Sequence, residues 1–122
     1  MRVARPSSDP AKVTHFYVEE VGLTRLGGFA DHNGYDGAFV GKAGADWHIE
    51  FTRQESGEPH PSPTDEDLLV VYLAADDLAV RCAHMDARGH ARATHPNPYW
   101  ATAGAVAYRD PDGYFVVLCP GD

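Results

Sequence analysis

At 122 residues, 43% hydrophobic and 23% charged, the chain has the size and balance of one folded domain, which excludes wholesale disorder and any need for cystine staples. Its 18 acidic against 10 basic residues give a formal net charge of -8, with lysine only at Lys12 and Lys42, so nucleic acid is excluded as a partner. No apolar run approaches the ~20 residues that span a bilayer, no signal-peptide core follows Arg2-Val3-Ala4-Arg5-Pro6, and Cys82 and Cys119 form no CxxC motif; the expectation is a cytoplasmic protein with reduced, buried cysteines and no membrane partner.

Along the chain, a short strand over 2–5 precedes Asp9-Pro10, an N-cap residue followed by Pro at the first helical position. Val13, Phe16, Tyr17 and Val21 recur at helical spacing, and Gly22 supplies the stop. Strands are predicted over 23–29, 37–40 and 47–52. Asn33-Gly34 reads as a hairpin turn, with His32 and Tyr35 beside it as further candidates for the mouth of a binding site. The loop around that turn is rich in oxygen donors but lacks the twelve-residue calcium pattern. Residues 55–66 are rich in Pro, Ser and Glu and read as a linker.

The order then repeats. A strand over 68–73 precedes a helix predicted to start at Asp76-Asp77, with Leu78, Cys82 and Met85 on one stripe and Gly89 as stop. Strands follow over 90–94, 105–108 and 114–119, the last two joined by a turn at Asp110-Pro111-Asp112-Gly113. Two modules, 1–54 and 67–122, thus share the order strand, helix, three strands. Two βαβββ modules in one domain (1–122) make an α+β fold: a curved mixed sheet with helices on its outer face and a cleft on the other. His15, His60, His84, His90 and His95 show no mutual spacing and read as surface residues. No GxSxG, P-loop or HExxH motif is present.

The paired modules, Phe16-Tyr17 ahead of Val21-Gly22-Leu23, and Asp110-Pro111-Asp112-Gly113 ahead of Val116-Val117-Leu118 resemble the vicinal-oxygen-chelate superfamily, the group of glyoxalase I, the bleomycin-resistance proteins and the extradiol dioxygenases. His48-Ile49-Glu50-Phe51-Thr52 and Asn97-Pro98-Tyr99-Trp100 are similar to a metal-lacking bacterial subgroup of it. The resemblance implies a cleft in which metalloenzymes hold one divalent ion with four ligands. Those positions fall here on Arg2, Glu50, Val70 and Val117. Arg only donates and Val has no lone pair, so no metal and no cofactor is expected.

Strand parity assigns the faces. Ile49 and Phe51, with Trp47, should pack under the helices, leaving His48, Glu50 and Thr52 on the cleft side. Leu69, Val71, Leu73, Val116 and Leu118 go to the helices, and Val70, Tyr72, Phe115, Val117 and Cys119 to the cleft. The ligand-binding candidates are therefore Arg2, His48, Glu50, Val70, Tyr72, Phe115 and Val117, with Tyr99 and Trp100 as rim or dimer contact. The alternative for Tyr72, Phe115 and Val117 is a second core that fills the cleft. Arg2 and Glu50, being opposite in charge at convergent positions, are expected to form an ion pair with His48 nearby.

The favoured reading is a metal-free protein that binds or sequesters a small organic molecule. The alternative is an enzyme, a lyase, isomerase or dioxygenase using the candidate catalytic residues Glu50 and His48, with or without a divalent metal. A homodimer is expected from exposed sheet edges and from the way such clefts are completed in the family the chain resembles.

Overall fold

The computed structural model describes residues 1–121; Asp122, the last residue of the expected second module, lies outside the described residues. Contacts divide the chain into two compact units, Met1–Ser62 and one from Pro63 onward.

In the first unit, β1 (Arg2–Pro6) leads into Asp9, whose carboxylate accepts the Lys12 backbone N–H at 3.1 Å, with Pro10 opening α1 (Pro10–His15). That is the cap the sequence calls for. From Phe16 the bonding changes: Phe16–Val21 is π-helical, and Gly22 N–H closes it on the Tyr17 carbonyl at 3.0 Å. Gly22 ends the turn at φ 97°, a conformation that glycine enters without steric cost. The plain helix expected over this stretch is corrected accordingly. An i→i+5 turn differs from an i→i+4 turn by one residue, too little for apolar spacing to register over six residues.

β2 (Thr24–His32), β3 (Tyr35–Gly41) and β4 (His48–Gln54) join β1 in a four-stranded mixed sheet of order β1-β4-β3-β2. β1 runs parallel to β4 and the other pairs are antiparallel. The three expected strands form and overrun their predicted ends, because Asn33 (φ 52°) and Gly34 (φ 82°) make a turn tight enough for His32 to pair with Tyr35. Helix and sheet meet over Phe51, which is fully buried. Tyr17 stacks on it at 5.3 Å, Phe16 meets Tyr17 edge-on at 5.2 Å, and Arg5 lies over Phe51 at 5.2 Å while donating to the Tyr17 hydroxyl at 2.8 Å. Val13, Val40 and Ile49 complete this buried layer, so parity placed Ile49 and Phe51 on the correct face.

In the second unit, β5 (Leu68–Leu73), α2 (Ala75–Ala87), α3 (Tyr99–Thr102), β6 (Val106–Arg109) and β7 (Phe115–Pro120) build a three-stranded sheet of order β5-β7-β6. β5 is parallel to β7, and β6 is antiparallel to it. Three expectations are corrected here. The strand predicted over 90–94 does not form: one bridge, Ala93 to Ala107, is all that pairs, because β6 is only four residues long and Pro96 and Pro98 cut the segment off. The helix starts earlier than Asp76, with Ala74 as its cap in extended conformation; Asp76 and Asp77 sit in the first turn, where they complement the helix dipole. The Tyr99-Trp100 segment, read as irregular, forms one helical turn.

The turn before β7 is built as expected. Gly113 N–H bonds the Asp110 carbonyl at 2.9 Å, and the buried Asp110 carboxylate accepts the backbone N–H groups of Asp112 and Tyr114. On the helix side, the Tyr108 hydroxyl donates to Asp86 at 2.9 Å. Burial first, and this bond second, push the Tyr108 hydroxyl well above the usual phenol range. Hydrogen bonds from Arg92 and then Tyr108 hold the Asp86 carboxyl below its ordinary value. The class is thus α+β, with two mixed sheets of four and three strands, α1 packed on the first and α2 on the second.

Candidate functional site

The first unit brings Arg2, His48 and Glu50 together. β1 and β4 pair Arg2 with His48 and Ala4 with Glu50, and β3 sets Phe39 opposite Glu50, so all four side chains rise from the face away from α1. The start of β1 is tied to β4, where His48 N–H bonds the Met1 carbonyl at 2.9 Å. The expected ion pair is present: Arg2 Nη1 lies 3.3 Å from Glu50 Oε2. The Glu50 side chain is only 11% exposed and Arg2 is 52% exposed, so the carboxylate sits at the base and the guanidinium closes over it.

Arg2 also donates from Nε to His48 Nε2 at 2.9 Å. A guanidinium has no acceptor, so Nε2 carries the lone pair and the His48 proton resides on Nδ1. The same guanidinium stands 4.9 Å over Phe39, whose ring meets His48 edge-on at 5.4 Å. One cation thereby engages both candidate bases and an aromatic face at once. Phe39 was missed as a member of the group, although it shares the parity of Gly37 and Gly41 on a strand that the sequence does show.

The second unit brings Val70, Trp100, Phe115 and Val117 together. Val70 pairs with Val117 across β5 and β7, and Val117 with Ala107 across β7 and β6. Phe115 and Val117 are fully buried there, and Trp100, Val70 and Leu68 pack against them. Tyr72 stands apart at 57% exposed, and Tyr99, edge-on to Trp100 at 5.1 Å, is 60% exposed.

His95, read as a surface residue, is buried, and that reading is corrected. Its Nε2 lies 2.6 Å from the Asp65 carbonyl and its Nδ1 accepts the Asn97 N–H at 2.9 Å, which puts the proton on Nε2. The Asn97 side chain in turn accepts the Tyr99 N–H at 3.0 Å, so His95 sets the position of the turn that carries Tyr99 and Trp100. Phe115 is flanked by the His95 ring at 4.7 Å and the Arg109 guanidinium at 4.0 Å. The sequence holds a trace of this in Asn97-Pro98, an Asx residue ahead of a proline that opens a helical turn.

The four positions that resemblance assigns to a divalent ion do not suit one. Glu50 is the single oxygen donor among them and is already held by Arg2, while Val70 and Val117 are apolar. Among the described residues, no three His, Cys, Asp or Glu side chains gather in metal-binding geometry.

Comparison with known proteins agrees with the fold. The YycE-like N-terminal domain pattern matches residues 1–52 and the YycE-like C-terminal domain pattern matches 66–120. The chain is 40% identical over 119 residues to the uncharacterized protein YycE of Bacillus subtilis strain 168, covering 97% of this chain and 85% of that one. A crystal structure of a Bacillus subtilis YycE protein of unknown function superposes with a TM-score of 0.89 at 36% identity, covering 100% of this chain and 89% of the other. An antibiotic-binding protein, TnmS3 of Streptomyces sp. CB03234, gives 0.70 at 25% identity, covering 99% and 93%. A glyoxalase/bleomycin resistance protein of the same organism gives 0.65 at 27% identity, covering 97% and 96%. The chain belongs to the YycE-like family, within the vicinal-oxygen-chelate superfamily of glyoxalase and bleomycin-resistance proteins.

Proposed function

We propose that the protein binds and sequesters a small organic molecule, without a metal and without turning it over. The observation that carries this reading is the Arg2 guanidinium: it takes up the His48 lone pair and pairs with Glu50. A general base needs a free lone pair within reach of a substrate proton; the Nε2 lone pair of His48 is taken, and the Glu50 carboxylate lies at the base with Arg2 closed over it. What the face does offer is recognition. Arg2 retains outward donors, His48 keeps its Nδ1 proton, and Phe39 supplies an apolar wall, which together suit an aromatic ligand bearing an acidic or carbonyl oxygen. The likeness to an antibiotic-binding protein supports the same class of ligand. On the second unit, Tyr72, Tyr99 and Trp100 are proposed as ligand contacts, over a floor of Val70, Phe115 and Val117. A cytoplasmic location and the absence of a nucleic-acid partner belong to the same proposal, supported by two free buried cysteines and the net charge of -8.

Two measurements test it. Elemental analysis of the purified protein is expected to show far less than about one equivalent of Zn, Ni, Mn or Fe after mild chelation. A stoichiometric metal that disappears in Glu50→Ala overturns the metal-free reading. In a thermal-shift screen of antibiotics that includes bleomycin, a binder should raise Tm in a concentration-dependent way and be recovered chemically unchanged after overnight incubation. The rise should be lost in Arg2→Met; recovery of a converted product means that the protein is an enzyme.

A two-fold homodimer is part of the proposal. β2 is a nine-residue edge of its sheet with Leu26 exposed, and such edges are best covered by a partner. Sedimentation velocity at about 50 µM should give a dimer of the 13.3 kDa chain; a single monomer boundary there refutes it.

A further inference from the structure

We propose a second ligand site in the first unit, on the helix-covered side of its sheet, that takes a zwitterion of dipeptide size with an apolar side chain. It is separate from the face carrying Arg2, His48 and Glu50. Asp36, Ala38 and Arg53 lie on one side of β3 and β4, while Phe39 and Glu50 alternate to the other.

Between α1 with its π-helical continuation and strands β2 to β4 lies a groove of about 720 Å³. That is larger than one amino acid and within the range of small-molecule sites. Its floor on the helix side of β3 is Ala38, whose methyl group fills little of the space under the helix. Pro10, Ala11 and Val18 give it an apolar wall along the helix.

Arg25 and Arg53 enter the groove from opposite sides of β3, and among the described residues neither makes a hydrogen bond or an ion pair. Arg53 is the register partner of Asp36 and still does not pair with it. Arg25 lies across Gly28: its Nη2 stands 2.5 Å from where a Cβ on residue 28 would be, so this path needs glycine there. Facing the two guanidiniums are Asp9 and Asp36. Each uses Oδ1 for a backbone N–H, of Lys12 and Asp31 respectively, which leaves Oδ2 to accept from a ligand. A purely anionic ligand meets Asp9 and Asp36, with Glu19 on the helical wall, and a purely cationic one meets the two guanidiniums. A molecule with an ammonium at one end and a carboxylate at the other satisfies both pairs.

The helical wall carries two independent signs of a site. Val18 and Glu19 belong to the π-helical turn, a rare conformation that recurs at functional sites. Thr14, which also lines the groove, is buried, and its hydroxyl has no hydrogen-bond partner. Buried hydroxyls are normally satisfied, and an unsatisfied one is retained where something else uses the geometry.

The test is a ¹H–¹⁵N titration of the full chain with alanyl-phenylalanine, and with its N-acetylated, C-amidated form as control. Saturable shifts are expected for the amides of Thr14, Val18 and Ala38. Arg25→Ala and Arg53→Ala should each weaken binding about tenfold, as should blocking both peptide ends, in keeping with the loss of a charge-assisted hydrogen bond. Both arginines are exposed, and the spectrum itself reports whether each variant is folded. Arg2→Met should leave this binding unchanged, so failure here and failure of the proposed function are distinguishable. Three results overturn the inference: no saturation below ~10 mM, equal affinity for the blocked peptide, or shifts centred on His48 and Glu50.

Discussion

Val117→Glu is expected to cost more than about 4 kcal/mol and to leave the second unit unfolded or nearly so. Val117 is fully buried, between Val70 on one neighbouring strand and Ala107 on the other, with Phe115 and Trp100 packed in the same cluster. A carboxylate there would lose its hydration among side chains whose single polar hydrogen is the Trp100 indole N–H. The nearest cation in register is Arg109, paired with residue 115; it is engaged over the Phe115 ring and with the Gly113 carbonyl at 2.8 Å. Against a typical domain stability of about 5–15 kcal/mol, a loss of that size is decisive. Urea unfolding of wild type and variant checks it, with Val117→Ile as a volume-conserving control. A variant that unfolds at the wild-type urea concentration would mean that this position faces water and that the cluster is not a core.

The second large effect is expected from Phe51→Ala, a loss of about 3–5 kcal/mol. Phe51 has no exposed surface and is the floor on which the first unit's helix rests. Removing the ring leaves Tyr17 without its stacking partner at 5.3 Å and Arg5 without the face it covers at 5.2 Å. The Arg5 bond to the Tyr17 hydroxyl then spans a cavity. Phe39→Ala is the internal comparison: half-buried on the opposite face, it should cost clearly less in chemical denaturation. Equal losses for the two rings would show that the helix does not depend on Phe51 for its seat.

Sequence alone determined the features that are local. Asp9-Pro10, Asn33-Gly34 and Asp110 to Gly113 each hold their own hydrogen bonds and φ angles within a few residues, so their structures could be read directly. Strand parity is equally local, since side chains alternate on any extended backbone. With the ligand positions carried by the resemblance, it put Arg2, His48 and Glu50 on one face and led to the ion pair found at 3.3 Å. Tertiary structure decided the rest. Whether residues 90–94 become a strand depends on how long an edge β6 presents, and whether His95 is buried depends on the Asp65 carbonyl thirty residues away. The π-helical turn has no mark in the apolar spacing, and in it Tyr17 stacks on Phe51, thirty-four residues away. The groove over Ala38 has no sequence signature at all, because its charges come from the cap of one helix and from three strands and converge only when the sheet has formed. A local pattern fixes what a segment can do, and long-range packing, where the loop-closure entropy is spent, fixes which side chains meet.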